Sequence, residues 1–239
     1  MLLSANRRTA AAFLVSVMLG VARLSAQQSN DGTAPASGTP ADAGASGEKH
    51  PPPSTHMFGV LPNYTTVEEG GTTSRLTTKA TFQMASLSSF DPYVFPFVGA
   101  VTFLNHAPGQ TYSRRYATSM ADNSIGNFLT TAIMPMTLGQ DPRYFASGKG
   151  SLPRRLAYAA SRSVITRGRS GQRQFNVSEL GGNAIAATVS NLYYTPSQRT
   201  VSGTLTRWGM QVMWDTLSNE MKEVWPDIRA KLHRHSALP

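Results

Sequence analysis

From about residue 89 onward the apolar positions recur every three or four residues, the repeat of an amphipathic helix rather than the alternation of a strand. In SSFDPYVFPFVGAVTFLNHAPG, Ser89 or Asp91 can cap a helix with Pro92 just inside its start, and residues 105–109 end it. Met120, Ile125, Phe128, Leu129, Ile133 and Met136 mark a second helix, which Pro135 should kink or stop near Met134. A third begins at the Ser151 cap, carries Leu156, Ala159, Ala160 and Val164 on one side, and closes at Gly168 and Gly171. A fourth follows Asn176, whose spacing to Glu179 is that of a capping box, and stops at Pro196. The fifth shows Leu205, Trp208, Val212, Met213, Trp214, Leu217, Met221 and Trp225 as a broad apolar surface and ends at Pro226.

Before these helices the pattern weakens. Residues 57–88 read as an extended arm, a turn at Gly70-Gly71 and a short helix over 77–86. The fold class that follows is all-α in the main, a bundle of about five helices behind an irregular arm, spanning residues 57–230 with a frayed basic tail at 231–239.

Residues 27–56 change the picture at the other end. They hold Ala, Gly, Ser, Thr and Pro without one large aliphatic or aromatic side chain, the composition of a disordered linker. Residues 1–26 place Arg7 and Arg8 before an apolar run and end in Leu24-Ser25-Ala26, the pattern of a secretory signal peptide. Export to the periplasm or the outer membrane is the expectation. The chain has no cysteine, which removes disulfides, thiolate metal sites and thiol nucleophiles.

Charge narrows the partners. The formal excess is +9; Arg7, Arg8 and Arg23 lie in the first 26 residues, so loss of that segment lowers it by three. Much of the excess is local, because no acid lies between Asp141 and Glu179. Arg154, Arg155, Arg162, Arg167 and Arg169 all fall there. For an exported protein they point to an anionic lipid surface or an acidic glycan rather than to nucleic acid. A protein partner is a further candidate.

Motifs with a fixed chemistry are missing. There is no HExxH helix, no P-loop and no Gly-x-Ser-x-Gly turn, and Gly181-Gly182 lacks the third glycine of a dinucleotide loop. Of the histidines, His50 and His56 fall in the linker and His233 and His235 in the tail. No metal and no cofactor is expected. Two polar clusters remain. In GQDPRYF, Asp141, Arg143 and Tyr144 could meet, with Glu179 as a further carboxylate, or the segment is a tight interhelical turn. Asn183 and Asn191 fall on one helix face and, with Arg199, make either an interhelical polar ladder or a ligand site. Ser178, Gly182, Ala186 and Ser190 stand at four-residue spacing, a stripe without bulk that lets a second backbone approach.

Several stretches (FGVLPNYTTV, QDPRYF, YAASRSVITR, FNVSELGGNA, SNLYY and the WGMQVMWDTLSNEMKEVWPDI end) resemble a family of uncharacterised secreted bacterial envelope proteins over residues 58–228. The resemblance implies an exported helical domain and no activity, cofactor or catalytic residue. The turn Gly168-Arg169-Ser170-Gly171 departs from it, having no acid before Ser-Gly. The expected function is a non-enzymatic envelope protein that associates with a membrane surface or a protein. One alternative is an envelope hydrolase or transferase built on Asp141, Arg143, Tyr144 and Glu179. The other is an outer-membrane β-barrel, whose strands would alternate where residues 81–225 do not.

Overall fold

The computed structural model describes residues 55–67, 76–105 and 109–236, with side chains to residue 232. The expected signal peptide, the linker through residue 54, His50, His106 and the side chains of His233 and His235 lie outside the described residues. The described chain is mainly helical, with short strands at the turns. It is not a barrel.

The arm opens with β1 (His56–Met57) and β2 (Leu61–Pro62), an antiparallel hairpin. Phe58 and Gly59 at its turn both take positive φ, 53° and 74°. That conformation costs a non-glycine residue roughly 1–2 kcal/mol. The Phe58 ring sits 4.7 Å from Trp225, a contact that offsets the strain. His56, expected in the linker, instead contacts Asp91, its Nε2 2.8 Å from the Oδ2 that also accepts the Tyr64 hydroxyl at 2.5 Å. β3 (Thr66–Val67) pairs in parallel with β5 (Tyr144–Phe145).

The first helix, α1 (Thr78–Phe90), starts on the Thr77 side chain, which accepts the Ala80 N–H at 3.2 Å, and runs beyond its expected end. α2 (Val94–Leu104) follows, the Tyr93 N–H bonded to Asp91 at 2.9 Å. α3 (Tyr112–Asn127) then continues through a π-helical stretch, Phe128–Ile133, into α4 (Met134–Leu138). Pro135 therefore does not end the helix. The wider π turns lie just before it, and Pro135 occupies the first turn of α4, where a missing N–H is least costly. Gly139, at φ 66°, makes the stop.

β4 (Gln140–Asp141) leads through β5 to α5 (Leu152–Ser161). The expected third helix ends there, short of Gly168. Residues 165–175 fold instead into a hairpin of β6 (Ile165–Gly168) and β7 (Arg173–Phe175), with β4 as third strand in the order β4-β6-β7. The β-branched run Val164-Ile165-Thr166 favours a strand, and Gly171, at φ 84°, supplies the turn.

α6 (Val177–Val189) starts on the Asn176 side chain, which accepts the Glu179 N–H at 3.1 Å. The capping box is only half formed, because the Glu179 carboxyl turns to Asn183 rather than back to the cap. The Ser178, Gly182, Ala186 and Ser190 stripe is buried and lies against the π-helical stretch. A Cβ on Gly182 would stand 3.0 Å from Thr130 Cγ2 and 3.3 Å from the Thr130 nitrogen.

The last helix, α7 (Val201–Ser236), has 36 residues and contains Pro226, so neither the expected stop nor the frayed tail at 231–236 is observed. A proline inside a helix removes one hydrogen bond and crowds the carbonyl four residues back, and here the helix continues past that local loss. Its polarity also departs from expectation. Leu205, Met213, Trp214 and Leu217 are exposed, whereas Glu223 is fully buried. Among the described residues no single helix is long and apolar enough to cross a membrane; α1 and α2 pass that test only as a pair, bent by 51°.

Candidate functional site

Between α2, α3, the π-helical stretch, α6 and α7 lies a cavity of about 780 Å³. Asp141, Arg143, Tyr144, Glu179 and Asn183 all line it. The four candidate catalytic residues thus share one space, but their side chains form three separate groups.

Asp141 and Arg143 pair with each other. The guanidinium donates from Nε to Oδ1 at 3.0 Å and from Nη2 to Oδ2 at 2.7 Å, and the Arg143 N–H also reaches Oδ1 at 3.0 Å. A carboxylate held by so many donors is a good turn brace. The interhelical-turn reading of GQDPRYF describes this group better than a catalytic one.

Tyr144 points the other way, donating its hydroxyl to Glu223 at 2.6 Å. Glu223 also accepts from the amides of Ser147 and Gly148 at 2.9 and 3.0 Å and from Arg155 Nε at 3.0 Å. Arg155, itself buried, reaches Asp227 and the Glu223 carbonyl as well. Its place in this network rules it out as a surface contact for an anion. Burial, then the Glu223 hydrogen bond and charge, push the Tyr144 hydroxyl far above the ordinary tyrosine range. It stays protonated and serves as a donor.

Glu179 belongs to the third group. Its carboxyl is hydrogen-bonded to that of Asp215. Asn183 Nδ2 donates to both, at 3.3 Å to Glu179 and 2.8 Å to Asp215. Desolvation, the Asp215 charge and that hydrogen bond hold Glu179 well above the usual carboxylate range. Two carboxylates in contact resist ionising together, which is part of that rise. Lys222 faces both acids and donates to Thr65 Oγ1 at 3.2 Å; desolvation lowers its affinity for a proton despite the two carboxyls.

A second polar knot stands on the same cavity. Asp122 accepts from the hydroxyls of Tyr193 and Tyr194, each at 2.6 Å, and burial raises its proton affinity. Arg207 lies over the Tyr194 ring at 4.4 Å and donates to Asn191 Oδ1 at 2.5 Å.

The expected Asn183, Asn191 and Arg199 cluster is divided. Asn183 serves the carboxyl pair, Asn191 bonds Thr204 and Arg207 at the start of α7, and Arg199 is exposed, donating to the Tyr194 carbonyl at 2.8 Å. Asn191 lies past the end of α6 in a 3₁₀ turn, which takes it off the helix face it was assigned to.

Asp215, Lys222, Glu223, Asp122 and Arg207 were not picked out by sequence reasoning. Asp215 and Lys222, seven apart, share a helix face, and that spacing is the one signal that could have joined them.

The arginine segment forms a different surface. On the β6–β7 hairpin, Ile165 opposes Phe175 and Arg167 opposes Arg173, and all four are exposed. Arg167 stacks over Phe145 at 4.3 Å. Arg154 and Arg169 are exposed as well, Arg169 donating to the Met136 carbonyl at 3.3 Å. Arg162 is half-buried, covering the Tyr158 ring at 4.6 Å on the cavity side. Among the described residues, Arg154, Arg167, Arg169 and Arg173 enter no ion pair.

Among the described residues no group of three or more His, Asp or Glu stands ready to hold a metal ion. No protein-family model, curated protein or solved structure matches the chain.

Proposed function

We propose that this chain is an exported, non-enzymatic envelope protein that docks on an anionic membrane surface through the β6–β7 hairpin. The observation that carries the proposal is the exposed hairpin face, where an apolar pair, Ile165 and Phe175, borders a basic pair, Arg167 and Arg173. Like charges directly opposite one another weaken a strand pair; on its other side Arg167 opposes Asp141 of β4, whose carboxylate is already held by Arg143. An anionic layer outside the protein would supply a counter-charge to the exposed arginines. Of the two anionic partners, lipid fits better than an acidic glycan, because a glycan would leave the 57 % exposed Phe175 in water. Further exposed apolar side chains on α7 and on the α2–α3 groove, Phe103 and Tyr112 among them, are in keeping with a membrane neighbour.

The proposal is tested by sedimentation with phosphatidylglycerol-containing and pure phosphatidylcholine vesicles. Each arginine near an anionic leaflet contributes about 1 kcal/mol, so reversing two, a change of about four charges, should weaken binding by at least roughly 100-fold. Arg167→Glu with Arg173→Glu is the variant, and salt should mimic it in the wild type. Equal sedimentation with both vesicle types, or no effect of the double reversal, would overturn the reading.

A further inference from the structure

We propose that the central cavity is a binding site for a neutral polyhydroxylated ligand, a short uncharged saccharide. This does not rest on the membrane reading, although Ile165 and Arg167 of the hairpin also line the cavity.

The volume, about 780 Å³, lies within the few hundred to 1,000 Å³ common for small-molecule sites. What distinguishes it from a packing void is its wall. Ser178 Oγ, in a residue only 3 % exposed, has no hydrogen-bond partner. Neither has Asn123 Nδ2 nor Gln211 Oε1, and all three residues line this cavity. The Asn123 oxygen is engaged by the Asn127 amide at 3.4 Å, so its unused atom is a donor. A buried polar atom left unpaired costs roughly 1–3 kcal/mol. Three of them around one space indicate that a hydrogen-bonding occupant belongs there.

The types of the unused groups narrow that occupant. Asn123 can only donate there, Gln211 can only accept, and Ser178 can do both. The Glu179 and Asp215 carboxyls, which both accept from Asn183, add further hydrogen-bonding groups to the wall. Hydroxyl groups match all of these, since each both donates and accepts. A phosphate or carboxylate would leave Gln211 unmatched and would face Asp215. An ammonium would leave Asn123 unmatched and would face Lys222. Acidic and basic side chains on the wall are equal in number, so neither sign of ion meets a one-sided wall. Trp214 and Phe97 add flat apolar surface against which the C–H face of a sugar ring can lie.

The test uses the full mature chain with N-acetylglucosamine, its β-1,4-linked disaccharide and maltose as neutral probes, and glucosamine and glucuronate as charged ones. Saturation-transfer NMR and titration calorimetry read binding. At least one neutral probe should bind with a Kd below about 10 mM and at least tenfold more tightly than both charged ones. Ser178→Ala and Gln211→Met should each lower that affinity by about tenfold, the effect of one lost hydrogen bond. Because the Ser178 hydroxyl is unpaired within the protein, Ser178→Ala should not lower the melting temperature of the ligand-free chain, whereas loss of a hydroxyl with a structural role would lower it. No binding of any neutral probe, equal or tighter binding of a charged one, or wild-type affinity in both variants would overturn the proposal.

Discussion

Hydrogen bonds from four donors converge on the side chain of Glu223. Its carboxylate is fully buried and is satisfied by Tyr144, two backbone amides and Arg155. Replacing such a pair by apolar groups can be neutral, but removing one partner strands the other charge in the interior. Glu223→Ala should therefore cost about 3–5 kcal/mol in urea unfolding. A loss under about 1 kcal/mol would mean that Arg155 finds Asp227 sufficient. Glu179 makes the opposite case, since its folded proton affinity is raised from the ordinary value of 4.5. The stability of that protonated form is complete below 4.5 and is lost as pH rises from there through the raised folded value. Lys222, whose proton affinity is lowered, acts in the reverse sense, losing stability as pH falls through its folded value. Glu179→Gln imitates the protonated carboxyl and can still donate to Asp215. Its stability relative to wild type should rise between pH 5 and pH 8, read by denaturation at both; an unchanged difference would remove Glu179 as the titrating group. None of these roles is visible in the chain as letters. Asp215, Lys222 and Glu223 sit in a helix whose many apolar residues suggested that the charges faced water, and a helical repeat does not tell which face turns inward.

The α6 crossing shows what the sequence does carry at the level of an element. Four small residues at a spacing of four identify a face without bulk, and the structure lays that face on the π-helical stretch. The two adjacent glycines then part company. On Gly181 a Cβ would meet Met134 Cε at 3.5 Å, ordinary contact, and alanine there should stabilise by up to about 1 kcal/mol through helix propensity. On Gly182 the same atom meets Thr130 at 3.0 Å with its backbone just behind, so alanine should destabilise despite its propensity. Gly182→Leu should abolish cooperative unfolding. Equal melting temperatures for Gly181→Ala and Gly182→Ala would contradict the close approach. The β6–β7 hairpin is the element that the helical reading lost. Leu156 to Val164 keeps a helical repeat up to its end, and the signal for a strand lies in only three β-branched residues and a glycine turn. Its partner β4 is about 25 residues earlier, a pairing no local pattern announces. The π-helical stretch was equally hidden, because a proline predicts a break and not the kind of turn that absorbs it.

Across the described residues, large apolar side chains are not confined to the interior. Small alanines and hydrogen-bonded polar groups make up much of the interior, while Phe103, Leu192, Val201 and Leu205 stand more than half exposed. Isolated exposed apolar side chains need no explanation, but Val201, Leu205, Met213 and Leu217 follow one another along one helix. With the basic hairpin they are in keeping with the proposed attachment by faces; no single described helix is long and apolar enough to cross. Attachment of that kind has a clear signature in fractionation. The mature protein should pellet with membranes at low salt, leave them in about 1 M salt, where electrostatic contacts across the surface are screened, and need no detergent. The double reversal at Arg167 and Arg173 should move it to the soluble fraction at low salt. Release by detergent alone would show that the chain is held through the bilayer, with the bent α1–α2 pair or the N-terminal apolar run as the holding segment, and would overturn docking by the hairpin as the means of attachment.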